Sequence, residues 1–278
     1  MSNTGESGAR KLAELRDRID TIDAEMHRLL MARGTVIDAL ISIKGTSAPG
    51  KAFRPAREAD MMRRLVARHD GGLPLATVEH IWREIITTFT RMQAEFDVAF
   101  DASFEPELMR DVARFYFGFS VDLIPLSGAA AIVAHVEEAN DIGLIAVGRP
   151  AASAWWRTLT GPTSPRITAM LPFIRAAGRP ADLPAFVVSP PISDPTPPDI
   201  RLFAVEAQRF ESGSDCAVLV EAGNEFLVAT AASLEDRDLA RRPGVASAIE
   251  VGAVSRGIAI DGPGSILYRS LEPAGVER

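Results

Sequence analysis

One basic residue stands where a helical stripe calls for leucine. From Leu12 the apolar positions run Leu12, Leu15, Ile19, Ile22, Met26 and Leu29, then Val36, Leu40 and Ile43. Steps of three and four alternate, break for a gap of seven, and resume, which predicts one heptad seam ending at Lys44. Arg33 fills the gap, and a guanidinium on such a face is costly unless it meets an anion. Lys44 follows eleven residues on, three turns at about 100° per residue, so it shares the face of Arg33. Two readings are open for Arg33. It pairs with a buried carboxylate or snorkels outward, or it joins Lys44, about 16 Å along the axis, in gripping a small external anion. With no acid nearby on the seam, the shared face favours the external anion.

Other chemistry is sparse. A single cysteine, Cys216, leaves no disulfide framework and no thiolate cluster. The histidines, His27, His69, His80 and His135, lack metal-ligand spacing, and no Ser-His-Asp set is evident. The expectation is a protein needing no metal and no cofactor. Its net charge of −7 without a basic tract argues against nucleic acid as a partner. No apolar run approaches the roughly 20 residues of a membrane span, and the opening MSNTGESGARK lacks a signal's apolar segment. A cytoplasmic protein without a membrane partner is expected.

The elements that must carry these side chains begin with the seam helix, about 33 residues and so about 50 Å long. A helix of that length needs a partner throughout, most simply another copy of itself. A second helix is announced by RPAREADMMRRLVARHDGG, with Pro55 suited to its first turn and Gly71-Gly72 ending it. Met61, Met62, Leu65 and Val66 form its core stripe, Arg57 and Glu58 lie in its first turn, and Arg63, Arg64 and Arg68 read as a solvated face. A third helix follows Pro74, with Val78, Ile81, Ile85, Phe89 and Met92 as its apolar face and Trp82 as a core residue. Gln93 comes directly after that stripe, where a polar group can look into a bundle.

Together these residues resemble the all-helical class of chorismate mutases. The match rests on LAELRDRIDTIDAEMHRLLMAR, ISIK, RPARE and IWREIITTFTRMQ, in that order across about residues 10–95. The resemblance implies chorismate as substrate and prephenate as product, through a pericyclic rearrangement with no covalent catalysis, metal or cofactor. It implies that Arg16, Arg33 and Arg57 bind the two carboxylates, that Lys44 and Gln93 donate to the breaking ether oxygen, and that Glu58 accepts from the ring hydroxyl. Arg16 lies about 25 Å from Arg33 along one helix, so either a shared pocket takes it from an antiparallel second chain, in the intertwined homodimer the resemblance implies, or it is an exposed partner of Asp20 four residues on. Two departures stand out: Arg54 replaces an acid of some members, and Phe89 replaces a serine often found there.

The C-terminal part has another character. Three of 19 prolines precede residue 100, and residues 98–278 hold all of the acidic excess. The expected fold is therefore multi-domain: an all-α three-helix domain over 1–100, then an α/β domain over 101–278, in one or two lobes. Candidate strands are 141–147, 185–189, 201–206, 216–221 and 225–229, and candidate helices 105–118, 129–139 and 154–159, with 191–199 as a hinge. Trp155-Trp156-Arg157 reads as an interface cluster. NDIGLIAVGRPAASAW and DLPAFVVS faintly resemble prephenate dehydratase segments, but Gly148-Arg149-Pro150 and Pro184-Ala185-Phe186 replace that family's reacting residues. No dehydratase activity is therefore expected. RLFAVEA resembles the first strand of an ACT-like regulatory domain. The alternatives to a mutase are an isochorismate-acting lyase of the same fold and a non-catalytic dimer sensing an aromatic metabolite.

Overall fold

In the computed structural model, residues 3–44, 53–147, 151, 153–176, 178–192, 196–213, 215–260 and 266–268 are described. Contacts divide the chain into two compact units, Met1–Ser47 and Ala48–Arg278. The first is essentially one helix, α1 (Asn3–Lys44), of 42 residues. It is longer than the seam predicts because residues 3–10, which add no apolar stripe, continue the same helix. Ion pairs at helical spacing, Arg10–Glu14 and Arg28–Glu25, brace its polar side. From Leu12 to Leu29 every seam residue is 45–56% exposed, a continuous apolar stripe left bare.

The second unit begins with α2 (Pro55–Arg68) and α3 (Leu75–Gln93) and continues as an α/β layer. Its strands are β1 (Val98–Asp101), β2 (Leu123–Leu126), β3 (Ile142–Ala146), β4 (Arg166–Leu171), β5 (Ile174–Ala176) and β6 (Ala185–Ser189). They are followed by β7 (Ile200–Ala207), β8 (Cys216–Ala222), β9 (Glu225–Ala231), β10 (Val245–Val254), β11 (Ile258–Ile260) and β12 (Ile266–Tyr268). The helices are α4 (Pro106–Phe117), α5 (Ala129–Ala139) and α6 (Asp236–Ala240), with a 3-10 helix at Trp155–Thr160.

Nine strands form one sheet in the order β2-β1-β3-β6-β4-β10-β7-β9-β8, and β12-β11-β5 form a second. The strands β1, β2 and β3 are parallel and joined by α4 and α5, whereas β7 to β10 are mutually antiparallel. The two regions meet where β4 runs parallel to β10, at Ile167 opposite Gly252. A Cβ on Gly252 would collide with the Ile167 carbonyl, so only glycine permits that join. The 191–199 segment links β6 to β7, two strands of the same sheet.

Strand alternation sets the two faces of the sheet. Phe186 and Val188 pack with Ile132, Val136 and the buried Trp155 and Trp156, while Ala185 and Val187 face Met109, Val112 and Tyr116 of α4. Ala59, Met62, Leu65 and Val66 of α2 share a third core with Val78 and Ile86 of α3 and with Phe173, Ile174 and Ile258. Among the described residues, no helix is long and apolar enough to cross a membrane.

Two expectations need correction. The stripe assigned to α3 is only partly its buried face: Val78 is buried, but Ile81 and Met92 are 40% and 54% exposed, and Glu79, Arg83, Ile86, Thr87 and Thr90 are buried as well. Nor is Arg63 part of a solvated face, because it donates to Asp199 at 2.6 Å and to the Arg256 carbonyl at 2.9 Å.

Candidate active site

Helix α2 starts at Pro55, whose fixed φ suits a first turn and whose missing N–H costs nothing there. Glu58 follows in that turn, its N–H bonded to the Arg54 carbonyl at 3.0 Å and its carboxylate favoured by the helix N-terminus. Burial of Ala59 and Met62 fixes the helix's rotation, so Glu58 looks toward α3 and Arg57 faces solvent.

Glu58 meets Arg83 there, Oε2 to Nη1 at 3.1 Å, with side chains only 16% and 9% exposed. The guanidinium of Arg83 also lies over the Tyr116 ring, 5.2 Å from its centroid. Glu58, Arg83, Thr87, Thr90, Tyr116 and Phe53 line one cleft, so a charged pair is set among hydroxyls and aromatic rings. Tyr116 accepts a hydrogen bond from the Phe173 N–H at 3.1 Å. Burial, reinforced by the nearby Glu79 carboxylate, drives its phenol pKa far above the ordinary value, so it stays neutral.

One helical turn before Arg83 on the same face, Glu79 is fully buried against Arg179, Oε2 to Nη2 at 2.5 Å. The Arg179 guanidinium stacks over Phe115 at 4.6 Å. Burial opposes its charge, but Tyr116 and Glu79 outweigh that cost and leave its pKa above the ordinary value. Further bonds fix α3 to α4 and the loop after it. His80 Nδ1 donates to the Phe115 carbonyl at 3.1 Å, Thr87 donates to the Tyr116 carbonyl at 3.4 Å, and Arg91 donates to the Ser120 carbonyl.

The expected site residues fall in different places. Glu58 faces the cleft, whereas Arg57 is exposed beside it. Gln93, the last residue of α3, turns back to donate from Nε2 to the Phe89 carbonyl at 2.9 Å and does not line the cleft around Glu58. On α1, Arg16 is exposed and Arg33 half-buried, and the Lys44 side chain lies outside the described residues. The sequence reading missed Arg83, Tyr116, Glu79 and Arg179. A signal for the first was present: Glu79 and Arg83 stand four apart on a helix otherwise apolar enough to be buried.

Residues 15–94 match the family model described as chorismate mutase type II. A bifunctional chorismate mutase/prephenate dehydratase of Neisseria gonorrhoeae is 35% identical over 85 residues, 31% of this chain and 23% of that protein. A protein of the same description from Aquifex aeolicus is 29% identical over 142 residues, 49% of this chain and 39% of that one. The second alignment is too long to lie within residues 15–94 and reaches outside the helical segment. This chain therefore spans well under half the length of either relative. No solved structure matches at comparable significance.

Proposed function

We propose that this chain, with its chorismate mutase type II segment at 15–94, rearranges chorismate to prephenate in aromatic amino-acid biosynthesis. The observation that carries the reading is the family match over the segment that holds all six expected ligand contacts. The reaction is a unimolecular bond exchange, so the protein contributes orientation and electrostatics rather than a nucleophile. Arg33, Arg57 and Arg16 hold the two carboxylates and select the compact conformer. Lys44 and Gln93 donate to the ether oxygen, which gains negative charge only as its bond breaks, so they favour the transition state over the ground state. Glu58 accepts the ring hydroxyl.

The working form is a homodimer. Six consecutive seam residues of α1 lie half exposed, and a second α1 packed along them buries that stripe. An antiparallel pairing brings Arg16 of one protomer toward Arg33 of its partner, which one chain cannot do across about 25 Å. The helical segment 1–100 supplies the reaction, and 101–278 is an α/β domain without dehydratase activity. The site needs no cofactor, and the protein works in the cytoplasm. Purified full-length protein tests the reading: it consumes chorismate and accumulates prephenate without added metal or cofactor. Chorismate consumed no faster than its spontaneous rearrangement would exclude the mutase. Release of pyruvate instead would mark a lyase.

A further inference from the structure

Arg83 is a long cation in a nearly sealed place, its side chain 9% exposed. Other buried or partly buried arginines of this unit also donate to main-chain carbonyls: Arg179 to Ala181 beside its bond to Glu79, Arg63 to Arg256 beside its bond to Asp199, and Arg114 to Gly118 and Val121. Arg83 differs. Among the described residues its hydrogen bond goes to the Glu58 carboxylate, at 3.1 Å, and its Nε has no partner. Beneath it lies the Tyr116 ring, whose hydroxyl accepts from the Phe173 N–H and whose carbonyl accepts from Thr87. Tyr116 belongs to α4, so the α/β layer supports the arginine that grips Glu58.

We infer that Arg83 is a positioning residue: held against Tyr116, it fixes the Glu58 carboxylate in the orientation that receives the substrate's hydroxyl. The inference rests on the mutase reading of Glu58. A glutamate in a first helical turn has three side-chain torsions to order before it can accept a hydrogen bond, and a charge-assisted bond to a buried guanidinium orders them in advance. Placing a buried arginine there costs desolvation, which the ion pair with Glu58 and the face of Tyr116 offset. Residues beyond 100 thereby contribute to binding without touching substrate.

Because the hydroxyl contact is made alike in ground and transition states, loss of Arg83 raises KM more than it lowers kcat. The test is a double-mutant cycle on the full-length protein, reading kcat and KM for chorismate and the thermal midpoint of each variant. Arg83→Gln raises KM about tenfold with kcat within threefold of the parent. In a Glu58→Gln background the same change raises KM less than twofold. Arg83→Lys, which keeps a cation but not the planar fork, gives an intermediate KM and decides the question if Arg83→Gln fails to fold. Equal losses in both backgrounds, or an unchanged KM in folded Arg83 variants, overturn the inference and leave the mutase reading standing. A parent without turnover overturns the mutase reading and this inference with it.

Discussion

Replacing Arg179 by methionine strips the counter-charge from the most buried ion pair of the second unit. Glu79 is 0% and Arg179 1% exposed at the side chain, and their closest approach is 2.5 Å. Removing one partner leaves a carboxylate in the core beside Tyr116 and Phe115, a change that costs about 3–5 kcal/mol. The stacking of Arg179 on Phe115 is partly replaced by the methionine thioether. At about 2–4 °C per kcal/mol for a unit of this size, the thermal midpoint falls by roughly 10 °C. The double variant Glu79→Leu with Arg179→Met removes both charges and keeps similar volumes, so it lies within about 1 kcal/mol of the parent or above it. Urea unfolding of the parent, both single variants and the double variant closes the cycle. If Arg179→Met loses less than about 1 kcal/mol, or the double variant loses the sum of the singles, the pair does not fasten α3 to the α/β layer as described.

Three further outcomes can be measured. If Lys44 donates to the ether oxygen as proposed, Lys44→Ala lowers kcat at least about 10²-fold, and a kcat within threefold of the parent removes it from that role. Arg63→Ala breaks the bonds to Asp199 and the Arg256 carbonyl and costs about 1–2 kcal/mol in urea unfolding, whereas a surface arginine would cost almost nothing. Burial raises the Glu250 carboxyl above the ordinary range, with Asp236 adding to the shift and Arg201 and Arg166 opposing it. A raised acid binds its proton more readily in the folded state, so its ionisation weighs against folding at neutral pH and the penalty fades on acidification. Glu250→Gln is therefore more stable than the parent at pH 7, by a margin that shrinks toward the ordinary carboxylate range. A margin that grows on acidification contradicts this.

How far the chain could be read from its letters depended on where each segment finds its partners. Helix α1 was legible because its seam needs nothing but period, and Ala185–Ser189, Cys216–Ala222 and Glu225–Ala231 were legible as short apolar runs between turns. Val98–Asp101 was hidden by its four-residue length directly after a helix, and Arg166–Leu171 by an arginine and a threonine in its pattern. Hydropathy caught Val78 on the buried face of α3 but placed Ile81 and Met92 there too. The face that is buried carries Glu79 and Arg83, and the charges that make this tolerable sit on Arg179, a hundred residues on, and on Glu58 in another helix. Local spacing flags Glu79 and Arg83, four apart on α3, but not their partners. Glu58 was found through the role that its motif RPARE implies, while Arg83, inside IWREIITTFTRMQ, carries no implied role there and emerged from its contact.

Subunit mixing bears on the composite, two-chain mutase site itself. Arg16→Ala and Arg33→Ala proteins, each inactive alone, are combined and allowed to exchange subunits. If each pocket takes these arginines from different chains, a heterodimer holds one pocket lacking both and one intact. Half of randomly paired dimers are heterodimers, so chorismate turnover returns to about a quarter of the parent rate. If turnover does not return although exchange is shown independently, the pocket is not built across two copies of α1, and the interlocked mutase is wrong.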